Sequence, residues 1–167
     1  MSKENLILSE SQVDQIIKRI AYEIYEHNFD AKKVFIVGVY DKGYMLAERL
    51  VGELTKIASQ INFDLARLDI DKSKPLADEV KLSVDTNELK GRVVVLVDDV
   101  LNSGQTVAHS MAALLRAQVK KIQIAVLVNR SHKKFPLEAN FKGYELSTTI
   151  DEHVEVRLEK KVGVYLY

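Results

Sequence analysis

The chain has no cysteine and no tryptophan, and its 167 residues include only two prolines and seven glycines. Without cysteine it forms no disulfide bond and offers no thiolate as a nucleophile or metal ligand, which is consistent with a reducing compartment. Its 24 basic and 24 acidic residues cancel. The basic excess common among nucleic-acid-binding proteins is therefore missing, and only a local basic patch could bind RNA or DNA.

No apolar run approaches the roughly 18 residues that cross a membrane. The first ten residues carry charge and lack the apolar stretch of a signal peptide, so we expect a cytoplasmic protein without membrane contact. The sequence has no internal repeat and no linker rich in Gly, Ser or Pro. A chain of this length suits one core, and we assign residues 1–167 to a single domain.

Strand-like and helix-like hydrophobic patterns alternate along the chain. Ser9 and Gln12 match a capping box, and the apolar residues that follow recur at helical spacing as far as Ile24. Further helices are predicted at 44–59 and 107–117, and strands at 34–39, 62–70, 80–84, 93–97, 122–128, 154–158 and 162–166. Strands separated by helices are typical of a parallel sheet covered by helices on both faces.

Residues 92–110, RVVVLVDDVLNSGQTVAHS, carry the main functional motif. Five apolar residues predict a strand buried on both faces, and Asp98 and Asp99 follow at its carboxyl end, where open α/β sheets bind ligands. A small polar turn then opens a helix, which offers free amides and a positive dipole end to a phosphate. The motif therefore predicts a ligand with hydroxyls or a metal for the aspartates and a phosphate for the turn, and a sugar phosphate has both. The simpler alternative is an aspartate that caps the next helix.

The thirteen residues 94–106, V-V-L-V-D-D-V-L-N-S-G-Q-T, resemble the phosphoribosyl pyrophosphate (PRPP) motif of the type I phosphoribosyltransferases. The segments 36–43, 46–50, 68–71 and 125–137 are similar to the PyrR branch, the pyrimidine-operon attenuation regulators that are also uracil phosphoribosyltransferases. The resemblance implies an α/β fold with a central parallel sheet flanked by helices, and a small hood at about 129–150. It also implies Mg²⁺ as cofactor and a homo-oligomer.

The resemblance assigns roles to individual residues. Asp98 and Asp99 correspond to the catalytic pair that holds the ribose hydroxyls, directly or through hydrated Mg²⁺. The 5′-phosphate site comprises Asn102, Ser103, Gly104, Gln105 and Thr106. The pyrophosphate loop comprises Tyr40, Asp41, Lys42 and Gly43. Asn129 and Arg130 in the hood are assigned to the base. Phe135 and Phe141 are candidates to pack on its ring, and the alternative for each is a place in the core.

Three departures from related patterns affect the expected function. Asn102 stands where purine-salvage members carry an aspartate that takes a proton from the purine, and an amide cannot act as a base. Lys42 replaces an arginine, which keeps the charge but loses the bidentate fork. The segment 71–79 corresponds to a flexible loop that closes over PRPP, but it is short and offers only Lys72 or Lys74 in place of a Tyr-Arg pair.

These observations predict phosphoribosyl transfer from PRPP to a nucleobase, uracil, giving UMP and pyrophosphate. One alternative is an RNA-binding regulator of pyrimidine genes that senses UMP or PRPP, and another is a phosphoribosyltransferase for a purine or a different base. The first helix offers Lys18 and Arg19 to RNA. However, Tyr22 and Glu138 stand where a histidine and an arginine are expected, so we expect no tight, specific RNA binding.

Overall fold

The computed structural model describes residues 3–71 and 80–167. The predicted closing loop, with Lys72 and Lys74, lies outside the described residues apart from its first residue. The elements are β1 (Asn5–Leu8), α1 (Glu10–Glu26), β2 (Lys33–Val39), α2 (Lys42–Ile57), β3 (Asn62–Asp69), β4 (Lys81–Leu82), α3 (Thr86–Leu89), β5 (Val93–Leu101), α4 (Gln105–Arg116), β6 (Lys121–Arg130), β7 (Phe141–Leu146), β8 (Val154–Arg157) and β9 (Gly163–Leu166). In the described part, no helix has the length and apolar character needed to cross a bilayer.

Six strands form the central sheet, in the order β4-β3-β2-β5-β6-β7. All neighbours are parallel except the short edge strand β4, which runs antiparallel to β3. Helices α1 and α2 pack on one face of this sheet, and α3 and α4 pack on the other. The predicted α/β architecture, a largely parallel sheet between helical layers, is confirmed.

Strand β5 is the centre of the molecule. Its side chains alternate between the two cores: Val95 and Val97 face α1 and α2, whereas Val94 and Leu96 face α4. The strand continues four residues beyond its predicted end, because pairing with β6 extends as far as Leu101. The aspartates are therefore held in the last part of a central strand instead of a loop, which fixes their backbone.

The first helix begins as predicted. The Gln12 amide donates to Ser9 Oγ at 3.3 Å, and the Ser9 amide donates to Gln12 Oε1 at 2.9 Å, so the capping box is formed. Each bond satisfies an amide that the first turn of a helix leaves without an intrahelical partner.

A second, three-stranded sheet joins the two ends of the chain in the order β1-β9-β8, and we call it the terminal sheet. A polar cluster fastens it: Arg157 contacts Glu4 at 2.6 Å and Glu155 at 2.9 Å, and it also donates to the Tyr167 hydroxyl. The Arg157 hydrogen bond is the main reason that the pKa of Glu155 falls to about 2. Strand β1 was not predicted.

Strand β7 was also not predicted, and it lies inside the range 129–150 assigned to the hood. It is the parallel edge strand beside β6, with Phe141 opposite Ala125. A Cβ on Gly143 would lie 2.3 Å from the Leu127 carbonyl oxygen and 2.6 Å from Ile16 Cγ2, so only glycine lets α1 pack this closely on the strand. Residues 141–146 therefore belong to the central sheet.

Candidate active site

The carboxyl end of β5 opens into a pocket of about 220 Å³. It brings together most of the residues that the sequence predicts for PRPP. Its lining comprises Lys42, Asp98, Asp99, Val100, Leu101, Asn102, Ser103, Gly104, Gln105, Thr106, Val107, His153 and Val154. His153 directly precedes β8 of the terminal sheet, and Val154 is the first residue of that strand. Neither was predicted as a site residue. The pocket therefore lies between the central sheet and the terminal sheet.

Asp98 and Asp99 are almost completely buried at the pocket wall, with 2% and 9% of their surfaces exposed. Asp98 Oδ1 accepts a hydrogen bond of 2.9 Å from the Asp99 amide, which orients the first carboxylate. Carboxylates accept hydrogen bonds from a sugar diol and stabilise positive charge that develops nearby. Their burial makes this stabilisation stronger than it would be in water.

The same pair fits the magnesium ion that the fold class implies. Oxygen ligands suit Mg²⁺, which is usually held by one or two carboxylates together with water and substrate phosphates. Among residues 3–71 and 80–167 there is no group of three or more His, Cys, Asp or Glu side chains arranged to hold a metal. The arrangement therefore fits an ion shared with the substrate through Asp98 or Asp99, directly or through water.

The turn between β5 and α4 forms the candidate phosphate loop, residues 102–106. Gly104 has φ of +86°, a left-handed conformation, and is the N-cap of α4. The amides that follow it begin the helix, where the first N–H groups lack intrahelical partners and the dipole is positive. The Gln105 amide donates to Ser103 Oγ at 3.3 Å, which stabilises the turn. The local structure thus offers several donors to one anion.

Residues 134–137 hydrogen-bond to this loop and pack against it. The amides of Lys134 and Phe135 donate to the Ser103 carbonyl at 2.9 and 3.1 Å. A Cβ on Gly104 would lie 3.5 Å from Leu137 and 3.6 Å from Phe135. Phe135 thus packs against the phosphate loop. Phe141 is 1% exposed, so of the two interpretations, stacking on the base or packing in the core, the structure supports packing in the core.

The candidate pyrophosphate loop joins β2 to α2, and the Tyr40–Asp41 peptide bond within it is cis. Helix α2 begins at Lys42, two residues earlier than predicted. A Cβ on Gly43 would lie 2.7 Å from the Val97 carbonyl oxygen, so glycine is required for the loop to approach β5. Lys42 lines the main pocket.

The other three residues of this loop do not line the main pocket. Asp41 lines a neighbouring depression of about 230 Å³, together with Lys42, Glu155 and Arg157. The Tyr40 ring is half exposed and lies 5.2 Å from the Arg67 guanidinium of β3. Sequence patterns gave no indication of Arg67, because a lone arginine on a strand is usually a surface residue.

Asn129 and Arg130, the predicted base-binding residues, end β6 and are each 9% exposed. Neither lines the main pocket. Asn129 Oδ1 has no hydrogen-bond partner in the described part of the chain. Arg130 reaches the pocket indirectly, since its Nη1 donates to Asn102 Oδ1 at 3.2 Å.

Comparison with known proteins identifies the class. Residues 6–161 match the phosphoribosyl transferase domain. In structure, the chain is similar to a hypoxanthine-guanine phosphoribosyltransferase from Bacillus anthracis, with a TM-score of 0.71 and 19% identity, covering 85% of this chain and 82% of the other. A hypoxanthine phosphoribosyltransferase from Staphylococcus aureus gives a TM-score of 0.73 and 20% identity, with 90% and 80% covered. The chain belongs to the phosphoribosyl transferase family.

Curated relatives place it within that family. A "Bifunctional protein PyrR" from Staphylococcus epidermidis is 36% identical over 164 residues, 94% of this chain and 93% of the relative. Proteins with the same name from Fusobacterium nucleatum and Chloroflexus aurantiacus are 33% and 36% identical, covering 96% and 98% of this chain and 94% and 93% of theirs. The chain is a member of the PyrR branch of the type I phosphoribosyltransferases.

Proposed function

We propose that the protein transfers the phosphoribosyl group of PRPP to uracil, forming UMP and pyrophosphate. The observation that carries this proposal is one pocket lined by two buried carboxylates, Asp98 and Asp99, a phosphate loop with a left-handed glycine, and Lys42. Each group matches one part of PRPP: the ribose diol, the 5′-phosphate and the pyrophosphate.

The reaction exchanges one bond at the anomeric carbon. The C1′–oxygen bond to pyrophosphate breaks, and pyrophosphate leaves with the electron pair. A bond forms between C1′ and the N1 nitrogen of uracil, and the N1 proton is released to solvent. Positive charge develops on the ribose as the leaving group departs, so Asp98 and Asp99 stabilise the transition state more than the ground state.

The remaining groups hold the substrate. The amides of the phosphate loop bind the 5′-phosphate and fix the ribose, and Lys42 neutralises the departing pyrophosphate. Mg²⁺, when bound, would screen the negative charge of the pyrophosphate. Holding these parts together supplies the orientation that lowers the barrier for a reaction between two bound molecules.

The choice of uracil depends on Asn102 and on the relatives. The main pocket has an amide at this position, where a proton-accepting carboxylate would favour a purine. The curated relatives are PyrR proteins at 33–36% identity. The purine enzymes among the structural neighbours are 19–20% identical and support the fold alone.

A second function, regulation of pyrimidine genes by binding RNA, is favoured by the word "bifunctional" in the relatives' name. The basic residues of α1 are only partly available for it. Arg19 donates to the Gly143 carbonyl at 2.8 Å and to Glu23 at 2.9 Å, so its guanidinium is already engaged. We therefore retain transfer to uracil as the main proposal.

The test is product formation. The protein is incubated with PRPP, Mg²⁺ and, separately, uracil, cytosine, hypoxanthine, guanine or adenine, and nucleotide and pyrophosphate are quantified. Uracil should give the highest kcat/KM, with equal amounts of UMP and pyrophosphate. A purine preferred over uracil would contradict the base assignment but keep the transferase. Light scattering of the same sample tests the expected homo-oligomer.

A further inference from the structure

Arg130 is a nearly buried arginine that joins two walls of the pocket. Its Nε and Nη2 donate to Thr148 Oγ1 at 3.0 and 2.6 Å, and Nη2 also donates to the Glu152 carbonyl at 2.9 Å. Its Nη1 donates to Asn102 Oδ1 at 3.2 Å. None of the ion pairs among the described residues includes Arg130. Among the described residues its hydrogen-bond acceptors are all neutral, and a nearly buried guanidinium with neutral acceptors is costly to desolvate, so we ask what else it does.

The segment that Arg130 holds is the β7–β8 connection, residues 147–153. This connection is itself closed by Glu152, whose Oε2 accepts from the Thr149 amide at 2.6 Å and from its hydroxyl at 3.1 Å. His132 Nε2 lies 2.7 Å from the Thr148 carbonyl oxygen. The connection ends at His153, which lines the terminal-sheet side of the pocket. Arg130 thus fixes this wall relative to the phosphate loop.

The hydrogen bond to Asn102 fixes the orientation of an amide. An arginine side chain has donors and no acceptor, so the Asn102 oxygen must face Arg130 and the amide nitrogen must lie on the other side. Asn102 lines the pocket. Within residues 3–71 and 80–167 its Nδ2 donates to no protein group. The pocket therefore presents N–H donors, not an acceptor, at this position.

We propose that Arg130 is a positioning residue that orients Asn102, and that Asn102 selects oxo-pyrimidines by donating to a carbonyl of the base. This inference rests on the proposed function. Loss of the N1 proton spreads negative charge over the uracil carbonyl oxygens, and an N–H donor stabilises that charge. A purine that attacks through N9 carries a hydrogen on N7. At this position the N7–H group would meet the N–H donors of Asn102 and would find no acceptor.

The experiment uses equilibrium binding, so it does not depend on turnover. Calorimetry measures the Kd of UMP and of ribose 5-phosphate for the wild type, Asn102→Ala, Arg130→Lys and the double variant. Arg19→Lys is the matched control, because Arg19 also donates to backbone carbonyls, at Lys142 and Gly143, but away from the pocket. Ribose 5-phosphate lacks the base and reports the phosphate loop alone.

Each single variant should lose about tenfold in UMP affinity, the loss expected for one hydrogen bond. The loss for ribose 5-phosphate should be less than about threefold, because Asn102→Ala removes a side chain and keeps the backbone amides that bind the phosphate. The double variant should lose no more than either single one, because both remove the same contact. The control should bind both ligands like the wild type. If Arg130→Lys fails to fold, the exposed residue Asn102 still provides the test.

Three results would overturn the inference: unchanged UMP affinity in Asn102→Ala, equal losses for UMP and ribose 5-phosphate, or losses that multiply in the double variant. A fourth result, a kcat/KM for uracil that is unchanged in both single variants, would likewise remove the inference and leave the proposed function intact. Failure of the wild type to bind ribose 5-phosphate, or to form UMP from PRPP, would instead contradict the proposed function.

Discussion

Replacing Gly104 by alanine tests the phosphate loop through backbone conformation alone. Gly104 has φ of +86°, and the nearest atom to an added Cβ would be 3.5 Å away, an ordinary contact. Alanine therefore fits the space but strains the backbone. For a residue other than glycine, the left-handed conformation costs roughly 1–2 kcal/mol.

The strain energy of Gly104→Ala determines how much the affinity for PRPP should fall. If the loop relieves the strain by leaving its binding conformation, about one molecule in 5 to 30 remains competent, and the Kd for PRPP with Mg²⁺ should rise about 5- to 30-fold. Gly104→Val should abolish binding, because a β-branched side chain restricts the backbone further. Isothermal calorimetry measures both variants.

Gly91 provides the matched control. Its φ is +72° and an added Cβ would meet nothing within 4 Å. It lies two residues before β5, at the opposite end of that strand from the pocket. Gly91→Ala should lose the same roughly 1–2 kcal/mol of stability in urea unfolding and keep wild-type PRPP affinity. Wild-type affinity in Gly104→Ala, with the same loss of stability, would refute the phosphate-loop assignment.

The remaining predictions concern catalysis, acid stability and RNA. Asp98→Asn and Asp99→Asn should each lower kcat at saturating PRPP by about 100-fold or more with the fold retained, the scale of losing one electrostatic contact to the transition state; unchanged kinetics in both would exclude the pair from the mechanism. The pKa of Glu155 lies at about 2, below its ordinary 4.5, mainly because Arg157 donates to it. Its stabilisation, about 1 kcal/mol for a partly exposed pair, is fully present above pH 4.5 and is lost as the pH falls towards 2. In Glu155→Gln this part of the pH dependence of urea unfolding should vanish, and a slope equal to that of the wild type would contradict the assignment. With zero net charge, binding to a pyrimidine-operon leader RNA should be weak and lost at about 150 mM salt, and a nanomolar gel shift stimulated by UMP would show otherwise.

The central strand and the turn that opens α4 were predictable because their information is local. Val93–Val97 is apolar without interruption, and the aspartates and the small polar turn follow it directly. Hydrophobic periodicity also located α1, with Ser9 marking its start. The predicted start of α2 was two residues too late: the helix begins at Lys42, and its N-cap, Asp41, makes no side-chain capping hydrogen bond.

Features built from distant parts of the chain could not be predicted. Strand β1 has four residues and exists through its pairing with β9 at the other end of the chain. Strand β7 contains Gly143, which weakens any strand pattern and is explained only by the close packing of α1. The hydrogen bonds of Arg130 join three segments, so its positioning role follows from the fold and not from its neighbours in sequence.

The most direct test of the central claim is a titration of ¹⁵N-labelled protein with PRPP and Mg²⁺, followed by amide NMR spectra. Direct hydrogen bonds from the phosphate loop predict that the amides of residues 103–107 shift most, followed by those of Lys42 and Asp99, whereas Gly91 stays unchanged. Shifts concentrated elsewhere, such as the exposed basic surface around Lys133 and Lys134, with the loop amides unaffected, would contradict the claim that this pocket binds the sugar phosphate.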